Sequence, residues 1–386
     1  AMAMVEPSYA NHESTQQEAL FATEATAPVA SNYHADEVAV SAQSAAVVDV
    51  QTGRLLYEKN GDERMLIASL TKVITAIVAI ESGVDLNSEV TVSSRAAGKE
   101  GSSIYLKVGE KQKLIDLLYA VMLRSGNDAA TAVAEHVGKT EAKFVEMMNA
   151  KVAELGLTGT HFANPHGLDA KEHYSTAHDM AILTAYALRN PTFAEIVRTQ
   201  VKKIPMPGES WDRKMYNKNK MLTRYDGADG VKTGYTKAAG RCLASSATKD
   251  GRQLVVLTLD ASSDWVDHER LLDYGFQTYH SQSIAKENDV IQTLPVDDGV
   301  APQVDVVTGA EFHYPIRDEE KDKLRKEVLL QDKVEAPVIA GEKVGEMRIY
   351  YEERLVGIIP LLAANEVQED TFFYKFKQLL KGLITR

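Results

Sequence analysis

Three short clusters in this 386-residue chain carry the side chains that nucleophilic acyl transfer needs. Ser69-Leu70-Thr71-Lys72 sets a hydroxyl and an amine three residues apart, one helical turn, so both project from one face. A serine hydroxyl is a weak nucleophile until a base takes its proton. Lys72 interrupts the apolar run Leu70 to Ile80. Burial there disfavours the ammonium form, and the free amine that results is a competent base beside Ser69. The same Ser-x-x-Lys spacing recurs at Ser246 with Lys249 and at Ser283 with Lys286, but Lys249 precedes the turn pair Asp250-Gly251 and Lys286 lies in a polar stretch. Only Lys72 has the apolar setting that lowers the pKa of an amine.

The second cluster, Ser125-Gly126-Asn127, falls where two helical stretches meet. Taken alone it reads as a helix cap, since Ser, Asn and Gly all favour helix ends. Beside a nucleophile, a hydroxyl at such a junction can relay a proton to a leaving nitrogen, and the Asn127 amide can bond a substrate carbonyl and a lysine together. The third cluster, Lys232-Thr233-Gly234, follows Asp229-Gly230 in a β-prone run. Gly234 has no side chain to keep a ligand backbone off the strand, and a cation with a hydroxyl suits a carboxylate. An edge-strand lysine that discourages aggregation is the structural alternative. A phosphate loop is disfavoured, because Val231 stands where glycine must precede the lysine.

The elements that must position these groups follow from turn signals and periodicity. Ala39 to Lys59 reads as a β-hairpin around Thr52-Gly53, and Leu70 to Ile80 as a helix buried on every side. Leu114 to Leu123 and Ala129 to Val137 have helical spacing, continued by Phe144, Val145, Met148, Val152 and Leu155. Asn164-Pro165-His166-Gly167 is a loop, and Thr176 with Asp179 predicts a capping box before a helix over Met180 to Leu188. Val231 to Tyr235, Cys242 to Thr248 and Leu254 to Leu259 are strand-like, and His268 to Tyr279 is helical. A strand, then helices, then strands implies an α+β domain in which an antiparallel sheet carries a helical layer.

Short alternating runs such as Gln303 to Val307, Glu311 to Ile316 and Gly345 to Tyr351 point to a separate small all-β domain. The expected layout is a flexible leader over 1–36, a catalytic domain over 37–281, the β domain over 282–365 and an amphipathic helix over 366–386. In the last segment Phe372, Phe373, Phe376, Leu379, Leu380, Leu383 and Ile384 share one face, flanked by Lys375, Lys377, Lys381 and Arg386. That pattern suits a helix lying in a membrane surface, with packing on its own domain as the alternative.

Composition narrows the rest. The net charge of −12 repels a phosphate backbone, so nucleic acid is a poor partner. No apolar run reaches the length of a membrane span. Cys242 is the single cysteine and has no intrachain partner for a disulfide. No His-Glu-x-x-His or similar ligand cluster stands out, so no metal or other cofactor is expected, and His161, His166 and His178 read as loop and cap residues.

The three clusters in this order resemble the active-site set of the penicillin-recognising serine enzymes. His161 to Asp169 and Tyr174 to Ala181 add a likeness to the serine-type D-alanyl-D-alanine carboxypeptidases. The resemblance implies a β-lactamase/transpeptidase-like fold and makes Ser69 the acyl-enzyme nucleophile, Lys72 its base and Ser125 the proton relay. It implies that Asn127, Lys232, Thr233 and Gly234 bind substrate, and that the backbone N–H groups of Ser69 and Tyr235 form the oxyanion hole. Tyr235 departs from relatives with histidine at that position. The implied reaction removes the terminal D-Ala from peptidoglycan stem peptides ending in D-Ala-D-Ala, and β-lactams acylate the same serine. The resemblance also implies an exported, extracytoplasmic enzyme held at the membrane by its tail. Two alternatives stand beside it: a serine β-lactamase, for which the Glu-x-x-Leu-Asn sequence is missing, and a non-catalytic sensor or scaffold that binds wall peptide or β-lactam.

Overall fold

The computed structural model describes residues 32–372 and Phe376. The expected leader and tail helix therefore lie mostly outside the described residues. Their described ends differ from expectation. Tyr33 O accepts the Glu58 N–H at 2.8 Å and Tyr274 Oη donates to Glu37 Oε2 at 3.0 Å, so residues 33–37 are packed. At the other end Val367 is buried and pairs with Val338 in an isolated bridge, so the chain is extended at 367 and helical only from Thr371.

Two compact units meet in sequence between Tyr279 and His280. The first is built on an antiparallel five-stranded sheet with strands β1 (Ser44–Asp49), β2 (Leu55–Lys59), β3 (Ala228–Thr236), β4 (Gly240–Lys249) and β5 (Arg252–Leu259), in the spatial order β2-β1-β5-β4-β3. The hairpin and all three late strands appear where the sequence places them. Every residue of β1 is buried, so the sheet is covered on both faces, where the sequence suggested one helical layer. Helix Asp264–Thr278 covers the face of Ala45, Val47, Leu254 and Val256 through Leu271 and Leu272. Gly275 lets it approach, since a Cβ there would lie 2.6 Å from Leu254. Ala46, Val48, Val255 and Leu257 on the opposite face are equally buried, and helix Ala177–Leu188 packs on β1 and β5. Two covered faces erase the period-two alternation that would mark a one-sided sheet.

Helix α1 (Lys72–Glu81) runs through the domain with Lys72 to Ala79 all buried, as its all-round apolar sequence requires. A 3₁₀ turn, Ala68–Thr71, leads into it. Thr176 caps helix Ala177–Leu188 by accepting the Asp179 N–H at 3.0 Å. The Asp179 carboxylate does not return the bond. It accepts from Gly159 N and Thr160 Oγ1 instead, so half of the expected capping box is made and the other half ties the helix to a neighbouring turn. Helix Pro191–Arg198 and the small pair Val201–Ile204 with Arg213–Tyr216 went unread in the sequence.

The second unit is all β. A six-stranded sheet runs Leu324–Leu330, Lys343–Tyr351, Arg354–Ala363, Gln303–Thr308, Val290–Asp297 and Val334–Glu335, and His280–Ala285 pairs with Phe312–Ile316. Ile284, Phe312 and Tyr314 of the pair share one core with Ile349, Ile359 and Leu361 of the sheet.

Candidate active site

The turn that carries Ser69 is held in an unusual backbone shape. Ala68 has φ +48°, a left-handed conformation that costs an alanine about 1–2 kcal/mol and persists where surrounding structure over-determines it. Thr71 supplies part of that constraint, donating from Oγ1 to Ala68 O at 2.9 Å. His173 completes it. Its Nδ1 accepts the Ala163 N–H at 3.0 Å, which puts the proton on Nε2, 2.8 Å from Thr71 Oγ1. Burial lowers the His173 pKa to about 4, so the ring is neutral and keeps this tautomer.

Ser69 follows Ala68, and Lys72 begins α1. Lys72 Nζ lies 3.0 Å from Ser69 Oγ, 2.7 Å from Asn127 Oδ1 and 2.5 Å from His166 O. The lysine is fully buried, and no carboxylate is among these partners. Burial lowers its pKa well below 10.5, and the positive charges of Lys232 and Lys218 add to the effect, against a smaller opposing pull from Asp128. An amine so placed holds a lone pair within hydrogen-bond reach of the hydroxyl.

The second cluster reaches the same place by a sharp junction. Helix Leu114–Tyr119 ends in a π-helical turn, Ala120–Arg124, and Ser125 takes the left-handed shape at φ +62° before helix Asn127–Gly138 starts. Ser125, not Gly126, is thus the residue that breaks the helix. The Asp128 carboxylate accepts from Ser103 Oγ, Ile104 N and Leu106 N, and Asn127 Nδ2 donates to Glu100 O at 2.7 Å. Both ends of the Asn127 amide are engaged, one on Lys72 and one on segment 100–106.

The third cluster lies on β3, an edge strand of the sheet. A Cβ at Gly234 would stand 3.1 Å from Ser69 N and 3.2 Å from Ile67 O. Glycine therefore lets the strand backbone, and the neighbouring N–H of Tyr235, close on the nucleophile turn. Lys232 is buried, with Nζ donating to Thr233 O at 2.7 Å, and burial beside Lys218 brings its pKa to about 7. The Tyr235 side chain is exposed.

These clusters, 56 and 107 positions apart in sequence, open on one cleft of about 490 Å³ lined by Ser69, Ser102, Ser125, Thr233, Gly234 and Tyr235. Lys72, Asn127 and Lys232 sit behind its wall. Sequence reasoning missed six of the lining residues as parts of the site: Ser102, Lys218, Arg241, Cys242, Asp264 and Trp265. None of them belongs to a recognisable local pattern. Asp264 is the one carboxylate in the lining, and Arg241 holds it in an ion pair at 2.6 Å. Also missed was the loop's role. Gly167 (φ +89°) passes so close that a Cβ would lie 2.0 Å from Ala68 O, and the adjacent His166 carbonyl receives Lys72. The turn chemistry of Asn164-Pro165-His166-Gly167 marked a loop but not what it touches.

The His166 ring is kept neutral by burial, with its pKa lowered to about 3. Among the described residues neither it nor His161, whose Nδ1 meets Glu172 O, is hydrogen-bonded to Ser69.

Comparison with known proteins agrees with this geometry. Residues 30–263 match the family model of D-alanyl-D-alanine carboxypeptidase, and residues 279–369 match the C-terminal domain of penicillin-binding protein 5. The chain is 30% identical to D-alanyl-D-alanine carboxypeptidase DacF of Bacillus subtilis over 354 residues, 89% of this chain and 90% of that one. It is 30% identical to D-alanyl-D-alanine carboxypeptidase DacC of Escherichia coli over 86% of each chain. Among solved structures, penicillin-binding protein 5 of Haemophilus influenzae superimposes with a TM-score of 0.68 at 28% identity, covering 86% of this chain and 99% of that one. The transpeptidase-like domain followed by an all-β domain is the shared architecture. On the family match, which spans most of the first unit, and on relatives aligned over nearly the whole chain, this protein belongs to the D-alanyl-D-alanine carboxypeptidase family of serine hydrolases.

Proposed function

We propose that the enzyme releases the terminal D-Ala of peptidoglycan stem peptides ending in D-Ala-D-Ala through an ester on Ser69. The observation that carries this reading is the buried Lys72 amine 3.0 Å from the Ser69 hydroxyl. Lys72 takes the hydroxyl proton as Oγ attacks the carbonyl carbon of the D-Ala-D-Ala bond. The tetrahedral oxyanion lies between the N–H groups of Ser69 and Tyr235, which Gly234 allows to approach. Ser125 passes a proton to the departing amine and regains one from Lys72, the C–N bond breaks, and D-Ala leaves. Water then gives a proton to the Lys72 amine as it attacks the ester carbonyl, the ester C–O bond breaks, and the proton returns to Ser69 Oγ.

Asn127 holds the Lys72 amine in register, while Thr233 and the charge of Lys232 receive the terminal carboxylate. A β-lactam presents a carbonyl and a carboxylate in the same relation and acylates Ser69. Among the described residues the one carboxylate that lines the cleft, Asp264, is paired with Arg241, which favours slow antibiotic turnover over β-lactamase activity. The test is D-Ala release from a peptide ending in D-Ala-D-Ala. Wild type is expected to turn over and Ser69→Ala to release none. An inactive wild type that is still acylated by penicillin would point to a sensor.

Binding has a proton signature. Burial beside Lys218 puts the Lys232 pKa near 7, so the amine is partly neutral at pH 7 to 8, and a bound carboxylate favours its charged form. Substrate binding should therefore take up protons in this range, and KM should rise as pH increases above about 7. Calorimetry in buffers of different ionisation enthalpy measures the uptake. Binding without proton exchange would remove Lys232 from the carboxylate site.

We further propose an extracytoplasmic enzyme attached to the membrane surface, with the β unit as a spacer. No helix among the described residues is long and apolar enough to cross a membrane. Support for surface attachment comes from exposed Phe372 and Phe376, whose rings stack at the start of the tail, and from the lysines that follow in sequence. Deleting 371–386 should abolish binding to anionic liposomes while leaving turnover of a soluble peptide intact. Undiminished liposome binding would assign the tail to packing.

A further inference from the structure

Glu58, Asp62 and His178 converge outside the catalytic cleft. Glu58 is in β2, Asp62 in the turn that follows it, and His178 in the first turn of helix Ala177–Leu188. His178 Nδ1 lies 3.7 Å from Glu58 Oε1 and 3.7 Å from Asp62 Oδ1. Glu58 is only 1% exposed, and among the described residues neither carboxylate oxygen has a hydrogen-bond partner. His178 Nε2 is likewise buried without one. A buried carboxylate with no donor is costly unless a cation or a proton neutralises it. The nearby Asp179 carboxylate, which accepts from Gly159 N and Thr160 Oγ1, adds to the negative charge rather than offsetting it.

A Cβ at Gly61 would fall 1.8 Å from Glu58 Oε1, so glycine there leaves the carboxylate in its present position. The turn is locked to the helix by His178 N donating to Gly61 O at 3.1 Å, and by Met65 and Ser175 exchanging backbone hydrogen bonds at 2.8 and 3.1 Å. The geometry points to a divalent-cation site of the zinc class, with Glu58, Asp62 and His178 as ligands and water completing the shell. One imidazole nitrogen and two carboxylate oxygens are donors that suit zinc, whereas magnesium prefers oxygen alone. Two donors on one tetrahedral zinc ion lie about 3.3 Å apart, given bonds of about 2.0–2.1 Å; the two separations from His178 Nδ1 are 3.7 Å and all three donors lie within 4.8 Å of one another, so the set contracts around the ion as it binds. Asp62 is exposed and supplies the entry path. The bound ion would join β2, its turn and the helix, and thereby brace the segment that leads from Asn60 into the nucleophile turn. Its role is structural, since the ligands stand apart from the residues lining the cleft.

The test is equilibrium dialysis of the full chain against Zn²⁺ after chelator treatment, with thermal melts of the same samples. One saturable Zn²⁺ per chain and a raised Tm are expected, with affinity weakened at least about tenfold in Asp62→Asn and saturable binding lost in Glu58→Gln. Asp62→Asn changes an exposed side chain and keeps the fold testable even if Glu58→Gln destabilises it. Absence of saturable binding in wild type, or unchanged affinity in Asp62→Asn, would overturn the proposal and leave Glu58 neutralised by a proton. An equal Tm gain with Mg²⁺ would overturn the assignment to the zinc class.

Discussion

Replacing Lys72 with alanine should leave the domain folded and slow acylation of Ser69 by a β-lactam about a thousandfold or more. Two consequences of the substitution compete. Asn127 Oδ1 and His166 O lose their shared donor, and an unpaired buried acceptor costs about 1–3 kcal/mol. Against this, the variant no longer has to bury an amine whose charged form is disfavoured there. The two oppose each other, so stability changes modestly, whereas the base is removed outright. Lys72→Met fills the same volume without a lone pair and separates the effects: it should be as inactive as Lys72→Ala and melt closer to wild type. The rate of formation of the penicillin adduct, followed by intact-protein mass, checks both. A Met variant that acylates at the wild-type rate would move the base elsewhere.

Gly167→Ala should lower turnover about a hundredfold, the scale of a one-ångström misplacement of catalytic groups. At φ +89° an alanine already costs about 1–2 kcal/mol for handedness. The larger effect is steric, because its Cβ would stand 2.0 Å from Ala68 O and 3.0 Å from Ser69 N. Both are backbone atoms of the nucleophile turn and cannot rotate away. The loop must retreat and take with it the His166 carbonyl that holds Lys72. kcat with a D-Ala-D-Ala peptide is the measurement, paired with a thermal melt to show that the loss exceeds the change in folded fraction. Near-wild-type kcat would show that the turn tolerates a displaced loop.

These two positions also show what the sequence could and could not reveal. Lys72 was legible because an amine inside an apolar helical run has one physical consequence whatever surrounds the helix. The hairpin, α1 and the three late strands were legible for the same reason: their signals are local. Gly167 was marked as a turn, but its approach to Ala68 joins segments about a hundred positions apart, and no local pattern encodes that. Arg241, Asp264 and Trp265 were hidden likewise, since they line the cleft only because β4 and the last helix end beside it. The second helical layer escaped because a sheet buried on both faces has no alternation to read. Ser125 was read as a possible cap, and the structure makes it the helix breaker, a task glycine performs with less strain. A residue kept in a strained shape at a cleft is one whose side chain is wanted there.

Acylation of Ser69 by this route requires an uncharged Lys72 amine beside it. That amine can be titrated directly by NMR of ¹³C-lysine-labelled enzyme, with the Lys72 Cε signal identified by its loss in Lys72→Met. An amine that titrates well below 10.5 is the predicted result. A signal that stays in the ammonium position through neutral pH and titrates near 10.5 would contradict it.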